Sequence, residues 1–198
     1  HHRVTVTGPR SPVKNLCKFG NDVLCHLMTF LEIDTLKIVI FLSRSMRDTV
    51  RSYFAILRKK STFHISTAEM IKRGDLLFHR DFPNLNKAIE MLEILSTLSG
   101  HDSSKKVVLE LEGGVHEVEG SCEGPWGDML PTMLSFPRVN LSIVGKGEGE
   151  TIVHGGLVVD FGRQVSIEGL TVKDSSGQGL IASGAGTKMV LKKVTVEN

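Results

Sequence analysis

Val165-Ser166-Ile167-Glu168-Gly169-Leu170-Thr171-Val172 sits midway between two segments that repeat its apolar pattern. Leu141-Ser142-Ile143-Val144-Gly145 lies 24 positions earlier, and Met189-Val190-Leu191-Lys192-Lys193-Val194-Thr195-Val196 lies 24 positions later. The same offset carries Leu157 onto Ile181 and Asp174 onto Asn198. A repeat of this length is one structural coil that cannot bury its apolar face alone, so its neighbours must stack on it. The last third of the chain is therefore expected to be a piece of a solenoid, an architecture that presents a long side surface for recognition.

The composition divides the chain in two. Of 20 glycines, 16 fall from Gly113 onward, where tight turns recur. Residues 1–80 hold 14 Lys or Arg against 6 Asp or Glu, whereas residues 81–198 hold 10 against 16. The basic residues of the first part recur at helical spacing between apolar ones, as on a solvated face, and no basic stripe with interleaved aromatics appears, so nucleic acid is not the expected partner. Cys17, Cys25 and Cys122 are odd in number and lack C-x-x-C spacing, which argues against a disulfide framework or a zinc site and points to an intracellular compartment, cytoplasmic or nuclear. The longest apolar run, Ile38 to Leu42, is far shorter than the ~20 residues of a membrane span, and no signal peptide opens the chain.

Five stretches are expected along the chain. Residues 1–18 are a tail or tag remnant, 19–60 a small helical bundle, 61–81 a connector, 82–106 a capping helix and loop, and 107–198 the stacked coils. In the bundle, Val23, Leu24, Leu27, Phe30 and Leu31, then Leu36, Val39 and Ile40, recur at three- and four-residue steps. A third helix enters at Ser43, with Met46, Val50 and Phe54 on its apolar side and Arg44, Arg47, Arg51 and Arg58 outward. Thr62 to Ile65 has the composition of a short strand. Asn84 can cap a helix whose stripe is Leu85, Ala88, Ile89, Leu92 and Leu95, and Val107 to Leu111 then opens as a strand.

The run from Phe19 to Val50 resembles the F-box motif. Asp22 stands at the acidic position, Val23-Leu24 at the aliphatic pair, Leu27 and Leu31 at the next two apolar sites, and Leu36 after Asp34-Thr35. Leu42-Ser43-Arg44-Ser45-Met46 stands at the close; Phe19-Gly20 replaces the Leu-Pro opening and Met46 the closing Trp. The resemblance implies docking on the S-phase-kinase-associated adaptor of a cullin-type ubiquitin ligase. Leu24, Leu27, Phe30, Leu31, Leu36 and Val39 would divide between bundle core and adaptor face. A helical cap that docks nothing would show the same apolar pattern.

From Phe82 onward, helix, polar loop, strand and Gly113-Gly114 turn resemble the entry to the right-handed parallel β-helix of the pectin-lyase-like superfamily. Val139 to Val144, Thr151 to Val153, Leu157 to Val159, Val165 to Val172, Leu180 to Ala182 and Met189 to Val196 are similar to its strands. Leucine-rich repeats have an overlapping period, but they need a helix or extended apolar segment in each unit, and Ser175-Ser176-Gly177-Gln178-Gly179 and Ser183-Gly184-Ala185-Gly186 would break a helix. The expected fold is thus mainly β with α, a small N-terminal helical bundle followed by a right-handed parallel β-helix of 24-residue coils, truncated at its C-terminal end.

Between Gly120 and Pro137 lies an insertion outside the repeat, with the single Trp of the chain. Trp126 and Asp128 are its candidate target-binding residues; the alternative is that Trp126 covers the edge of the first coil. Catalysis on a stack of coils would need acids and a base recurring at the coil spacing. Asp160 would stack between Phe136 and Gly184, Glu168 over Lys192, and Asp174 beside Asn198, so no acid pair meets a base. The histidines have no ligand spacing, and neither a metal, a cofactor nor a catalytic residue is assigned. The expected function is a non-catalytic protein-binding receptor, the substrate-recognition subunit of a cullin-type ubiquitin ligase. The alternatives are a carbohydrate-binding or polysaccharide-cleaving protein and a structural scaffold.

Overall fold

The structure is a computed structural model that describes residues 44–67, 81–97, 106–123, 127–137, 139–160, 162–173 and 179–197. The chain divides into two compact units, His1–Tyr53 and Phe54–Asn198. The F-box-like positions from Phe19 to Ser43, and with them Leu24, Leu27, Phe30, Leu31, Leu36 and Val39, lie outside the described residues, as does Trp126.

Helix α1 (Arg44–Lys59) is amphipathic. Its buried stripe is Val50, Tyr53 and Leu57, while Arg51 and Arg58 are exposed. The four-step pattern through Phe54 is corrected here: with 3.6 residues per turn a strict four-residue step drifts off the stripe, and Phe54 is left half-buried at its margin.

The second unit is mainly β, and its sheets are built largely from parallel strands. In chain order it contains β1 (Thr62–Ile65), α2 (Leu85–Thr97), β2 (Lys106–Leu111), β3 (Gly114–Glu117), β4 (Ser121–Glu123), β5 (Met129–Pro131) and β6 (Met133–Ser135). There follow β7 (Asn140–Val144), β8 (Thr151–His154), β9 (Gly156–Asp160), β10 (Gln164–Lys173), β11 (Leu180–Ser183) and β12 (Lys188–Glu197). Asn84 caps α2 as expected, its Oδ1 accepting from the Lys87 amide at 2.8 Å. The helix buries Leu85, Ala88, Met91, Leu92 and Leu95, and Asn86 donates to the Glu117 carbonyl at the end of β3.

The 24-residue repeat is realised as strand stacking. Ile167 is the parallel partner of Ile143 on one side and of Leu191 on the other. The row continues through Leu109 to Phe63, so β1, placed by the sequence in the connector, is a member of the same sheet. Phe63, Leu109, Ile143 and Ile167 are all at most 1% exposed; Leu191, on the last strand, is 48% exposed. A second interior row, Val107, Leu141 and Val165, runs beside it. Each fully buried aliphatic side chain contributes about 1.5–3 kcal/mol relative to exposure, so these rows hold the stack together.

Strand β10 bends in the middle: residues 165–168 pair with β7, and residues 171–173 pair with β8. The bend is at Gly169, whose φ of 66° is in the left-handed region. Lys193, one repeat later, takes the same conformation with φ 50°. Gly145, one repeat earlier, is there for closeness instead, since a Cβ on it would lie 2.2 Å from the Gly169 carbonyl oxygen.

A third sheet of β6, β9 and β11 corrects one expectation. Its register pairs Leu157 with Leu180 and Val158 with Ile181, an offset of 23, where the sequence pattern suggested Leu157 over Ile181. The next turn restores 24: four residues, Gly184 to Thr187, separate β11 from β12, whereas three, Phe161 to Arg163, separate β9 from β10. The insertion, in turn, contributes an antiparallel hairpin, β4 against β5. Its Cys122 and Leu130 pack on Met133, Val158 and Ile181 of the third sheet.

Candidate functional site

Strand alternation sends every second residue of β2, β7, β10 and β12 outward, and in-register stacking turns these into rows across the sheet. One row is Val108, Ser142, Ser166 and Val190. Beside it Lys106 faces Asn140 and Gln164 faces Lys188; because Leu141 and Val165 are partners in the next position, these four form a second row. The third is His64, Glu110, Val144, Glu168 and Lys192.

A groove of 240 Å³ opens on this face, lined by Lys106, Asn140, Gln164, Val165, Ser166, Lys188 and Val190. Lys106 and Lys188 are exposed, Asn140 and Ser166 half-buried, and Val190 is 44% exposed. The groove thus combines two cations, two carboxamides that can both donate and accept, and a hydroxyl, with an aliphatic flank and no aromatic ring. Along its border the Lys192 ammonium lies 2.6 Å from Glu168. This confirms the cross-strand pair that the repeat predicted. The hydrogen bond from Lys192 holds the Glu168 carboxyl below its usual range, with the charges of Lys192, Lys193 and Lys106 adding to it.

The remaining polar groups serve the frame. Glu110 and His64 approach to 3.0 Å, and Glu117 and His154 to 2.7 Å, each pair lying directly opposite across parallel strands. Asp160 partners Ser183, not Gly184 as the 24-residue offset implied, because the third sheet runs at 23. Arg163 closes over it, with Nη1 2.8 Å from Asp160 Oδ1 but off the hydrogen-bond axis, so the contact is an ion pair. The same nitrogen donates to Ser135 Oγ at 3.1 Å and to the Phe136 carbonyl. Burial and the Asp160 charge push the Cys122 thiol up, which keeps it protonated and poorly nucleophilic.

His116 points into the core at 2% exposure, opposite Val153. Its Nε2 donates to the Glu112 carbonyl at 2.9 Å, which also accepts from Thr151 Oγ1, while Nδ1 has no hydrogen-bond partner. Burial lowers its pKa. Among the described residues no three His, Cys, Asp or Glu are grouped so as to hold a metal ion.

The structure therefore gathers the outward residues of the repeat into one groove and leaves the insertion elsewhere. Asp128 is exposed immediately before β5, in the hairpin whose Cys122 and Leu130 pack on the third sheet. The groove residues Lys106, Asn140, Gln164 and Lys188 were not singled out from the sequence. The signal that could have found three of them is the 24-residue offset applied to an outward position, which links Asn140, Gln164 and Lys188; Lys106, 34 residues before Asn140, lies outside that spacing.

No protein-family model matches the chain, and no curated protein or solved structure shows significant similarity to it. No helix among the described residues is long and apolar enough to cross a membrane.

Proposed function

We propose that the chain is a non-catalytic receptor built on a right-handed parallel β-helix, which holds a target protein on the outer face of its stacked strands. The observation that carries this reading is the unbroken parallel register of β2, β7, β10 and β12, which gives outward side chains a fixed spacing across four strands. A preformed, polar, concave strip suits binding without rearrangement, which limits the entropy lost on association. The partnering of the outer-face acids supports the same reading, since Glu110 and Glu168 are engaged by His64 and Lys192.

The F-box-like segment supplies the other half of the proposal: an intracellular role in which Leu24, Leu27, Phe30, Leu31, Leu36 and Val39 dock the S-phase-kinase-associated adaptor. Joining an adaptor to a bound target raises the local concentration of the target beside a ligase without bond chemistry in this chain. The test is co-purification with that adaptor. Binding by the intact chain that disappears in the Leu27→Glu, Leu31→Glu double variant is the expected result. Failure of the unaltered chain to bind the adaptor removes the ligase role.

A further inference from the structure

We infer that the groove across β2, β7, β10 and β12 is a site for an extended acidic peptide carrying two carboxylates four residues apart. The inference deepens the receptor reading by naming the chemistry of the target.

Charge decides the class of ligand. Residues 81–198 carry 16 acids against 10 bases, so a pair of cations on one groove is a local feature and not part of a generally basic surface. The carboxylate that feels the Lys106 charge, Glu168, is already held by Lys192. Among the described residues neither Lys106 nor Lys188 has a carboxylate within ion-pair distance. Both ammonium groups are thus available at the two ends of one groove.

Geometry decides the spacing. Lys106 and Lys188 are three strand steps apart in the same row, and at about 4.8 Å per step this is about 14 Å. An extended chain advances about 3.3 Å per residue, so a peptide lying across the strands spans that distance in four residues. Its side chains alternate, so residues i, i+2 and i+4 all face the groove. The outer two meet the lysines; the middle one meets Asn140 and Gln164, whose carboxamides can also bond the peptide backbone. Val190 offers contact to the methylenes of the second acidic side chain. An acidic sugar chain would also meet the lysines, but sugar recognition draws on ring stacking, and no aromatic side chain lines the groove.

The experiment is fluorescence anisotropy with the 198-residue chain and a labelled ten-residue peptide carrying two glutamates four positions apart in a serine and glycine background. Comparators are the same peptide with adjacent glutamates, the same peptide with glutamine at both places, and an oligogalacturonate. The spaced peptide is expected to bind, and both peptide comparators to bind about tenfold more weakly or worse. Lys106→Gln and Lys188→Gln should each weaken the spaced peptide by about tenfold, and the double Glu variant should abolish binding. Lys173→Gln, in a pair with Glu197, should have no effect. Both groove lysines are exposed, so unchanged melting curves will certify the fold of the variants. Three results would each overturn the inference: indifference to glutamate spacing, unaltered binding by the double variant, or binding of oligogalacturonate in place of the peptide. Loss of adaptor binding alone would remove the ligase reading and leave this site standing, whereas loss of peptide binding alone would do the reverse.

Discussion

Ile167→Ala and Leu191→Ala each delete three carbons from one row of stacked side chains, yet they should differ sharply in cost. Ile167 is fully buried between Ile143 and Leu191, whereas Leu191 is 48% exposed on the last strand. At about 0.8 kcal/mol per buried methylene, the Ile167 truncation forfeits about 2.4 kcal/mol of transfer free energy. The neighbouring strands are tied by backbone hydrogen bonds and cannot close the hole, so a cavity contribution raises the total to about 3–4 kcal/mol. At Leu191 about half of the side chain is already wet and the vacancy opens to solvent, leaving about 1 kcal/mol. The predicted difference is about 2–3 kcal/mol. It can be read from urea unfolding midpoints at constant slope, or as a melting temperature lowered by about 2–4 °C per kcal/mol for a chain of this size. Equal costs at the two positions, or a larger one at Leu191, would refute the stacked-row account of the core.

Gly145→Ala should destabilise by about 2 kcal/mol or more, because its Cβ would lie 2.2 Å from the Gly169 carbonyl oxygen. Gly120→Ala is the informative comparison: it has φ 95° but nothing within 4 Å, so it should cost only the roughly 1 kcal/mol of a left-handed residue, and paired thermal melts will separate crowding from backbone strain. His116 gives the chain an acid-side weakness. Burial lowers its pKa from 6.5, so the unfolded chain takes the proton first; stability is intact above about pH 6.5 and falls as pH drops from there toward the lowered folded value, by at most about 1.4 kcal/mol per pH unit. Urea midpoints across that range should slope less in His116→Leu, and an identical slope would show that other groups carry the effect. Arg163→Met strands the largely buried Asp160 carboxylate and should cost about 2–3 kcal/mol, of which Asp160→Asn in the same chain should restore at least half. A double-mutant cycle with no coupling would mean that Arg163 acts only through Ser135 and the Phe136 carbonyl.

The long-period stacking was legible in the amino-acid sequence alone. Aliphatic residues recur at 24 because each must lie on the equivalent residue of the neighbouring parallel strand, and that demand survives in composition without any knowledge of the path between them. The cap of α2 and the strands around Ile143, Ile167 and Leu191 were legible for the same local reason. The third sheet was not. Its offset of 23 returns to 24 only through one extra residue in the turn from Gly184 to Thr187, and a turn can absorb that residue without disturbing the apolar pattern on either side. Nor could the sequence show that β1 joins the main sheet or that the insertion folds back as a hairpin on Met133, Val158 and Ile181, since both rest on contacts between residues with no periodic relation. The groove is divided between the two: the repeat links Asn140, Gln164 and Lys188, whereas Lys106 joins them only through the pairing of β2 with β7. Lys106, Asn140, Gln164 and Lys188 are unremarkable polar residues spread over more than 80 positions, and only parallel pairing at about 4.8 Å sets them side by side on one face.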